Sequence, residues 1–221
     1  MMEGPIVVLG TGTEIGKTEV SASLLRGARG CGHRVAGLKP VLTGDDQPDD
    51  AARLGAAAGR VVAPRYRFAP PVSPHLAARQ AGVTISLPEI GAWVAAHSAE
   101  VTVVETAGGV FSPISASLTN LDLAISLRPA AMVLVTSARL GVLHNVAATI
   151  LAVRHIAPTV AWQSIVVSSP SDDLEVAVRE LRDTVLPRVS CTAPVVGFGP
   201  SWSLTPQADV AFFQASLSCF T

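Results

Sequence analysis

A doubly wound α/β fold with a mostly parallel sheet follows from three features of this 221-residue sequence. Short apolar runs of strand length recur along the chain. Helix-compatible segments of about 10–15 residues separate them, which is the spacing of βαβ units. The runs are continuous rather than alternating, as expected of strands covered by helices on both faces.

The first strand is expected over 6–9, where Ile6-Val7-Val8-Leu9 is wholly apolar, and the first helix over 17–29. A second strand over 34–38 is stopped by Pro40, which has no N–H to give a ladder and which fixes the loop that follows. A helix over 50–58 opens at Asp49-Asp50, acids that suit the positive end of a helix. The proline-rich piece 64–74 is read as a loop within the domain, being too short and too apolar for a linker. Ser73-Pro74-His75 then supplies an N-cap, an N1 proline and a first-turn residue for a helix over 74–81, so His75 is assigned a structural role. Further helices are expected over 87–97, 142–155, 173–185 and 208–217, and further strands over 101–105, 132–136, 164–168 and 194–197. There is no repeat, heptad or low-complexity run, and residues 1–221 are read as a single domain.

Composition narrows the function classes. Apolar residues make up 49% of the chain and the net charge is -1 with scattered Lys and Arg, so disorder and a nucleic-acid footprint are both disfavoured. No uncharged apolar stretch of about 18 residues suggests a membrane span. The start lacks a basic region followed by an apolar one, which together with Cys31, Cys191 and Cys219 in no paired spacing implies a cytoplasmic protein with free thiols. The surplus of apolar residues points to contact between subunits.

The chemistry concentrates in Gly10-Thr11-Gly12-Thr13-Glu14-Ile15-Gly16-Lys17-Thr18, set between the first strand and the first helix. Small residues let successive backbone N–H groups turn toward phosphate oxygens, and the helix adds its positive dipole end. This order predicts a P-loop NTPase-like domain that binds a nucleoside triphosphate, with Lys17 on the β and γ phosphates and the Thr18 hydroxyl on Mg²⁺. An ordinary glycine turn would require neither the Lys-Thr pair nor the strand before it. The usual spacing places a glycine at Thr11, whereas here it is Gly10, so the loop is a variant that marks a subfamily.

Ligands of doubly wound sheets bind at the carboxyl ends of the strands. The second strand ends at Lys39 and the third at Glu105, followed by Thr106-Ala107-Gly108-Gly109. Lys39 could be a solvated lysine, and Asp50 could serve only the helix dipole. Glu105 is the best candidate metal ligand, since Mg²⁺ takes oxygen donors in addition to a hydroxyl and phosphates.

Together these residues resemble dethiobiotin synthetase. The resemblance is carried by the loop, by Leu38-Lys39-Pro40-Val41 with Thr43-Gly44, by Asp50-Ala51 and by Pro71-Val72-Ser73-Pro74-His75-Leu76-Ala77-Ala78. It extends through Val104-Glu105 and Ala107-Gly108-Gly109-Val110-Phe111-Ser112-Pro113 to Leu140-Gly141, covering about the first 145 residues. It implies ATP-dependent carboxylation and ring closure of 7,8-diaminononanoate with CO₂ or bicarbonate. Lys17 and Lys39 would neutralise the carbamate and the transferring phosphoryl, with Thr13 and Glu14 beside the carbamate. Thr18, Asp50 and Glu105 would hold Mg²⁺, and Thr43 would bond the diamine. The nucleotide would also meet Gly12, Ile15, Gly16, Glu19, Thr106, Ala107 and Gly108. The turn at Leu140, Gly141, Val142, Leu143 and His144 would hold the substrate's distant carboxylate from the partner subunit, making the site that of a homodimer.

The chain departs from the family pattern in three places. Thr106 stands where glycine is usual, and its branched side chain is expected to crowd a turn lying near the phosphates and lower activity. His144-Asn145 reverses the family's Asn-His order. Ser168 replaces the asparagine that reads adenine, so the base is expected to be selected loosely or to rely on Pro200, Ser201, Trp202 and Gln207. Two rival readings share parts of the pattern. A partner-regulated ATPase of the deviant P-loop group carries an early loop lysine, where this chain has Thr11, Gly12 and Thr13. A cobyrinate-synthetase-like amide-forming ATPase is expected to need an amidotransferase domain beyond residue 221.

Overall fold

Successive side chains of a strand point to opposite faces, so a continuous apolar strand feeds two cores at once. In β1 (Ile6–Gly10), Val7 and Leu9 enter one core while Ile6 and Val8 enter the other. The molecule is described by a computed structural model covering residues 3–45, 49–169, 174–199 and 205–217.

After β1 come α1 (Lys17–Gly30), β2 (Val35–Leu38), β3 (Val41–Thr43) and α2 (Asp50–Ala58). They are followed by β4 (Tyr66–Phe68), α3 (Pro74–Gln80), α4 (Leu87–His97) and β5 (Val101–Glu105). Next are α5 (Asn120–Ser126), β6 (Ala131–Ser137), α6 (Val142–Ile156) and β7 (Ser164–Ser168). The last helices are α7 (Leu174–Glu180), which runs through π-helical Leu181–Val185 into α8 (Leu186–Arg188), and α9 (Pro206–Ser216), with β8 (Val195–Phe198) between α8 and α9.

Six strands form one sheet in the order β2-β5-β1-β6-β7-β8, with every pairing parallel. One face packs on α1, α2 and α9 through Leu24, Leu25, Leu54 and Phe212. The other packs on α3 to α7 through Ala78, Ile90, Leu121, Ile150 and Ala177. Helices therefore cover both faces, and the doubly wound fold is the one expected. β1 lies between β5 and β6: the chain first runs from β1 to the edge strand β2 and back to β5, then crosses to β6 and winds outward through β7 and β8. That reversal opens a crevice at the carboxyl ends of β1, β2 and β5.

The structure corrects several boundaries and adds elements. The proline-rich piece is not wholly loop, because β4 pairs in parallel with β3 as a separate two-stranded sheet. α5 carries no expectation from the sequence, and the helix expected over 173–185 changes to π geometry at Leu181–Val185 and ends at Arg188. α9 begins at Pro206, with Thr205 as its N-cap. α9 lies close on α1 because Gly27 has no Cβ to meet the Asp209 backbone. Asp209 then accepts from Arg26 Nε at 2.6 Å and from the Ser23 hydroxyl. Among the described residues, no helix is long and apolar enough to cross a membrane.

Candidate active site

The loop from Gly10 to Gly16 folds back over its own start. A Cβ on Gly10 would lie 2.7 Å from Ile15 Cδ1, 2.9 Å from Lys17 Cδ and 3.0 Å from Gly12 O, so the shifted glycine of this variant lets the loop and the Lys17 stem pack closely on its own start. Glu14 has φ 54 and Gly16 φ 89, both left-handed, which turns the chain sharply into α1. Thr11 anchors the loop to β6 through its N–H to Val135 O at 2.9 Å and its hydroxyl at 2.9 Å from that of Thr136.

Lys17, at the first position of α1, donates to Gly12 O at 2.9 Å and so bridges the loop. Burial lowers its pKa to about 8, and the positive charge of Lys39 pushes the same way. Lys39 comes from the end of β2. Its ammonium lies 2.7 Å from Asp50 Oδ2 and 2.6 Å from Glu105 Oε1. Burial opposes that charge, yet Glu105 and Asp50 together raise the Lys39 pKa above the ordinary lysine value. For Asp50 burial favours the neutral acid, but Lys39 outweighs it and holds the carboxyl below its usual range.

The Thr18 hydroxyl sits 2.8 Å from Asp50 Oδ1 and 3.0 Å from Glu105 Oε1. Glu105 Oε2 is buried and has no hydrogen-bond partner. An orphaned carboxylate oxygen beside a second carboxylate and a hydroxyl is a hard oxygen donor set. No group of three His, Cys, Asp or Glu residues suited to a metal occurs among the described residues. A cation here would therefore need phosphate or water oxygens as well, which fits Mg²⁺ better than a fully caged metal.

A cavity of about 650 Å³ opens over this cluster. Of the expected residues, Thr13, Glu14, Ile15, Gly16, Lys17, Thr18, Glu19, Lys39, Thr43, Asp50, Glu105, Ala107 and Gly108 line it. Gly12 lines an adjoining cavity of about 400 Å³ with Thr11, Thr13, Thr149 and the turn at 109–113. Glu19 stands at the rim, paired with Arg53 at 2.9 Å.

Other expected residues lie elsewhere. Thr106 is buried with its hydroxyl donating to Val8 O at 3.2 Å. Its hydroxyl is thus directed at β1, and Thr106 does not line the cavity that Ala107 and Gly108 line. Ser168 ends β7 beneath the loop, where a Cβ on Gly16 would lie 3.0 Å from its own Cβ. Gln207 is exposed in the first turn of α9, while Pro200, Ser201 and Trp202 lie outside the described residues. Leu140, Gly141, Val142, Leu143 and His144 start α6 without lining either cavity of their own chain, and Leu140 is fully exposed.

Other participants carry little or no signal in the sequence. Asp49 caps α2 by accepting from Ala52 N at 2.8 Å, and Arg67 of β4 holds its other oxygen at 2.6 Å. That places Asp50 one residue into the helix, aimed at Thr18. Ser112 lines the cavity and accepts from Gly109 N at 2.8 Å. Arg53 is legible as one turn beyond Asp50, whereas Arg67 is hidden because β4 reads as loop.

The arrangement joins a phosphate cradle, two lysines and an acid pair, which is the equipment of phosphoryl transfer. A family model described as an AAA domain matches residues 5–197. The ATP-dependent dethiobiotin synthetase of Caulobacter sp. strain K31 is 36% identical over 218 residues, covering 92% of each chain. That of Ralstonia nicotianae is 44% identical over 155 residues, covering 64% of this chain and 67% of the relative. Among solved structures, a ParA family ATPase from Chlorobium tepidum matches with TM-score 0.52 and 12% identity over 97% of both chains, a likeness of fold. The chain is an ATP-dependent enzyme and belongs to the dethiobiotin synthetase family.

Proposed function

We propose that this enzyme closes the cyclic urea of dethiobiotin from 7,8-diaminononanoate, CO₂ and ATP, releasing ADP and phosphate. The observation that carries the reading is the convergence of Lys17, Lys39, Thr18, Asp50 and Glu105 on one cavity from two strand ends and two helix starts. Carbamate chemistry brings several anions together, so positive charge must be fixed before they arrive.

One amine of the diamine takes up CO₂ as a carbamate. A carbamate oxygen attacks the γ-phosphoryl and ADP leaves, giving a mixed carbamic–phosphoric anhydride. The second amine then attacks the carbonyl carbon, phosphate leaves with the bonding pair, and the ring closes. Lys17 follows the β and γ oxygens, and Lys39 neutralises the carbamate. Thr13 and Glu14, exposed at the cavity mouth, flank that carbamate, and Thr43 at the end of β3 bonds the diamine. Mg²⁺, held by Thr18, Asp50 and Glu105, would supply Lewis-acid neutralisation of the phosphate oxygens. The backbone amides at Gly141 to His144 would bind the substrate carboxylate of a partner subunit in a homodimer. Support comes from the full exposure of Leu140 and from these residues not lining the cavity of their own chain.

The test is to incubate the purified protein with diaminononanoate, bicarbonate, Mg²⁺ and ATP, following dethiobiotin by mass and ADP by chromatography. Nucleotide hydrolysis without dethiobiotin would overturn the assignment.

A further inference from the structure

The turn after β5 is gripped from behind by one side chain, and we infer that Asn120 is a positioning residue that shapes this turn for phosphoryl transfer. This rests on the reading of the cavity as a phosphoryl-transfer site. Asn120 opens α5 and is 1% exposed. Its carboxamide nitrogen donates to Ala107 O at 2.5 Å and to Gly109 O at 2.9 Å, using both of its N–H groups. The backbone of the same helical turn takes two more carbonyls, Asn120 N to Ser112 O at 3.1 Å and Leu121 N to Val110 O at 3.0 Å. The carbonyls of residues 107, 109, 110 and 112 are therefore all tied to the start of α5.

The turn is also held from the front. Val110 N donates to Gly10 O at 2.8 Å, and a Cβ on Gly109 would lie 3.5 Å from the Gly12 backbone. Gly108, between the two carbonyls that Asn120 holds, is left-handed at φ 81. A Cβ there would lie 2.7 Å from Ser112 Oγ, so only glycine fits the shape that Asn120 imposes. With its carbonyls drawn back, the turn presents Ala107 and Gly108 to the cavity beside Glu105. Backbone donors fixed in this way need no reorganisation as charge develops on a transferring phosphoryl. The second carboxamide atom, Asn120 Oδ1, is buried without a partner. An apolar side chain would avoid that cost, so the residue is there for its donors.

The test compares Asn120→Leu, which keeps the bulk and removes both donors, with Asn120→Asp, which sets an acceptor against two carbonyls, and with Asn120→Thr, which keeps one donor. Turnover is measured with saturating ATP and diaminononanoate, alongside calorimetric affinities for ADP and for β,γ-imido-ATP. Asn120→Leu and Asn120→Asp are expected to lose tenfold or more in kcat and in affinity for the imido analogue, with ADP affinity within about twofold of wild type. Asn120→Thr should fall between. Hydrogen exchange at residues 107–112 should rise in each variant with the core strands unchanged. Equal losses for ADP and the analogue, or kcat unchanged beside a lower Tm, would reduce Asn120 to a structural residue and overturn the inference. If wild type makes no dethiobiotin, the functional reading fails instead, and the two affinities still decide the role of Asn120. A Leu variant that does not fold leaves the decision to Asn120→Thr on the same measurements.

Discussion

Replacing Lys39 by methionine keeps most of the stem and removes one charge from a cluster of three. The Lys39 side chain is 4% exposed and that of Glu105 is 1% exposed, so the carboxylate would stay buried without its cation. Removing one partner of a buried pair costs about 3–5 kcal/mol. Asp50, at 37% exposed, can rehydrate, which places the loss near the lower bound, about 3 kcal/mol. For a chain of this size that is a fall in Tm of about 6–12 °C. The same vacancy makes a prediction about metal. Two carboxylates left with only Lys17 as counter-charge attract a divalent cation, so Mg²⁺ without nucleotide should recover part of the loss. At ten times its dissociation constant the recovery is about 1.4 kcal/mol, or about 3–6 °C. In wild type, where Lys39 already supplies the cation, the same Mg²⁺ should shift Tm far less. Turnover of the variant should drop at least about a hundredfold, roughly 2.7 kcal/mol of transition-state stabilisation. Scanning calorimetry with and without Mg²⁺, beside the dethiobiotin assay, reads all three. A Tm within about 2 °C of wild type, unmoved by Mg²⁺, would refute the buried ion-pair argument, and wild-type turnover would make Lys39 a bystander.

Other outcomes follow from the geometry. Gly16→Ala must hold a Cβ at φ 89 against Ser168 and should weaken ATP binding at least about tenfold by calorimetry; unchanged affinity would mean that the loop tolerates another shape. Because Ser168 offers a single hydroxyl and packs against Gly16, GTP and CTP should support ring closure within about tenfold of ATP, about 1.4 kcal/mol; a thousandfold preference for ATP in kcat/KM would show that another segment reads the base. Co-assembly of inactive Lys17→Ala and inactive Gly141→Asp chains should restore activity in hybrid dimers, and no recovery despite proven subunit exchange would mean that each chain completes its own site. Asp209→Ala removes the buried acid that joins α9 to Arg26 and Ser23, and a loss of about 2 kcal/mol should lower Tm by about 4–8 °C.

The phosphate-binding loop and its neighbours are legible in the sequence because their signals are local. A strand, a glycine-rich turn and a Lys-Thr pair in that order admit few other conformations. The winding of parallel strands then brings strand ends together, so Lys39 and Glu105 can be placed at one edge without knowing a distance. Shorter or longer-range signals fail. β3 and β4 have three residues each, too few for periodicity, and they lie either side of prolines that suggest a loop. The turn to π geometry at Leu181–Val185 leaves no mark on composition.

By itself the sequence determined the fold class, the phosphate cradle and the identity of the charged residues around it. Only the tertiary structure decided how those residues share their charges. Lys39 and Glu105 are 66 residues apart, and nothing in either strand states that one ammonium serves both Glu105 and Asp50. Thr106 reads as an obstruction in the sequence, yet its hydroxyl is spent on Val8 O. Asn120 carries no signal there, because a carboxamide becomes informative only when two particular carbonyls lie within its reach. Side-chain orientation depends on which strand lies alongside and how deeply a group is buried. Both are set by packing over the whole chain, not by neighbours in sequence.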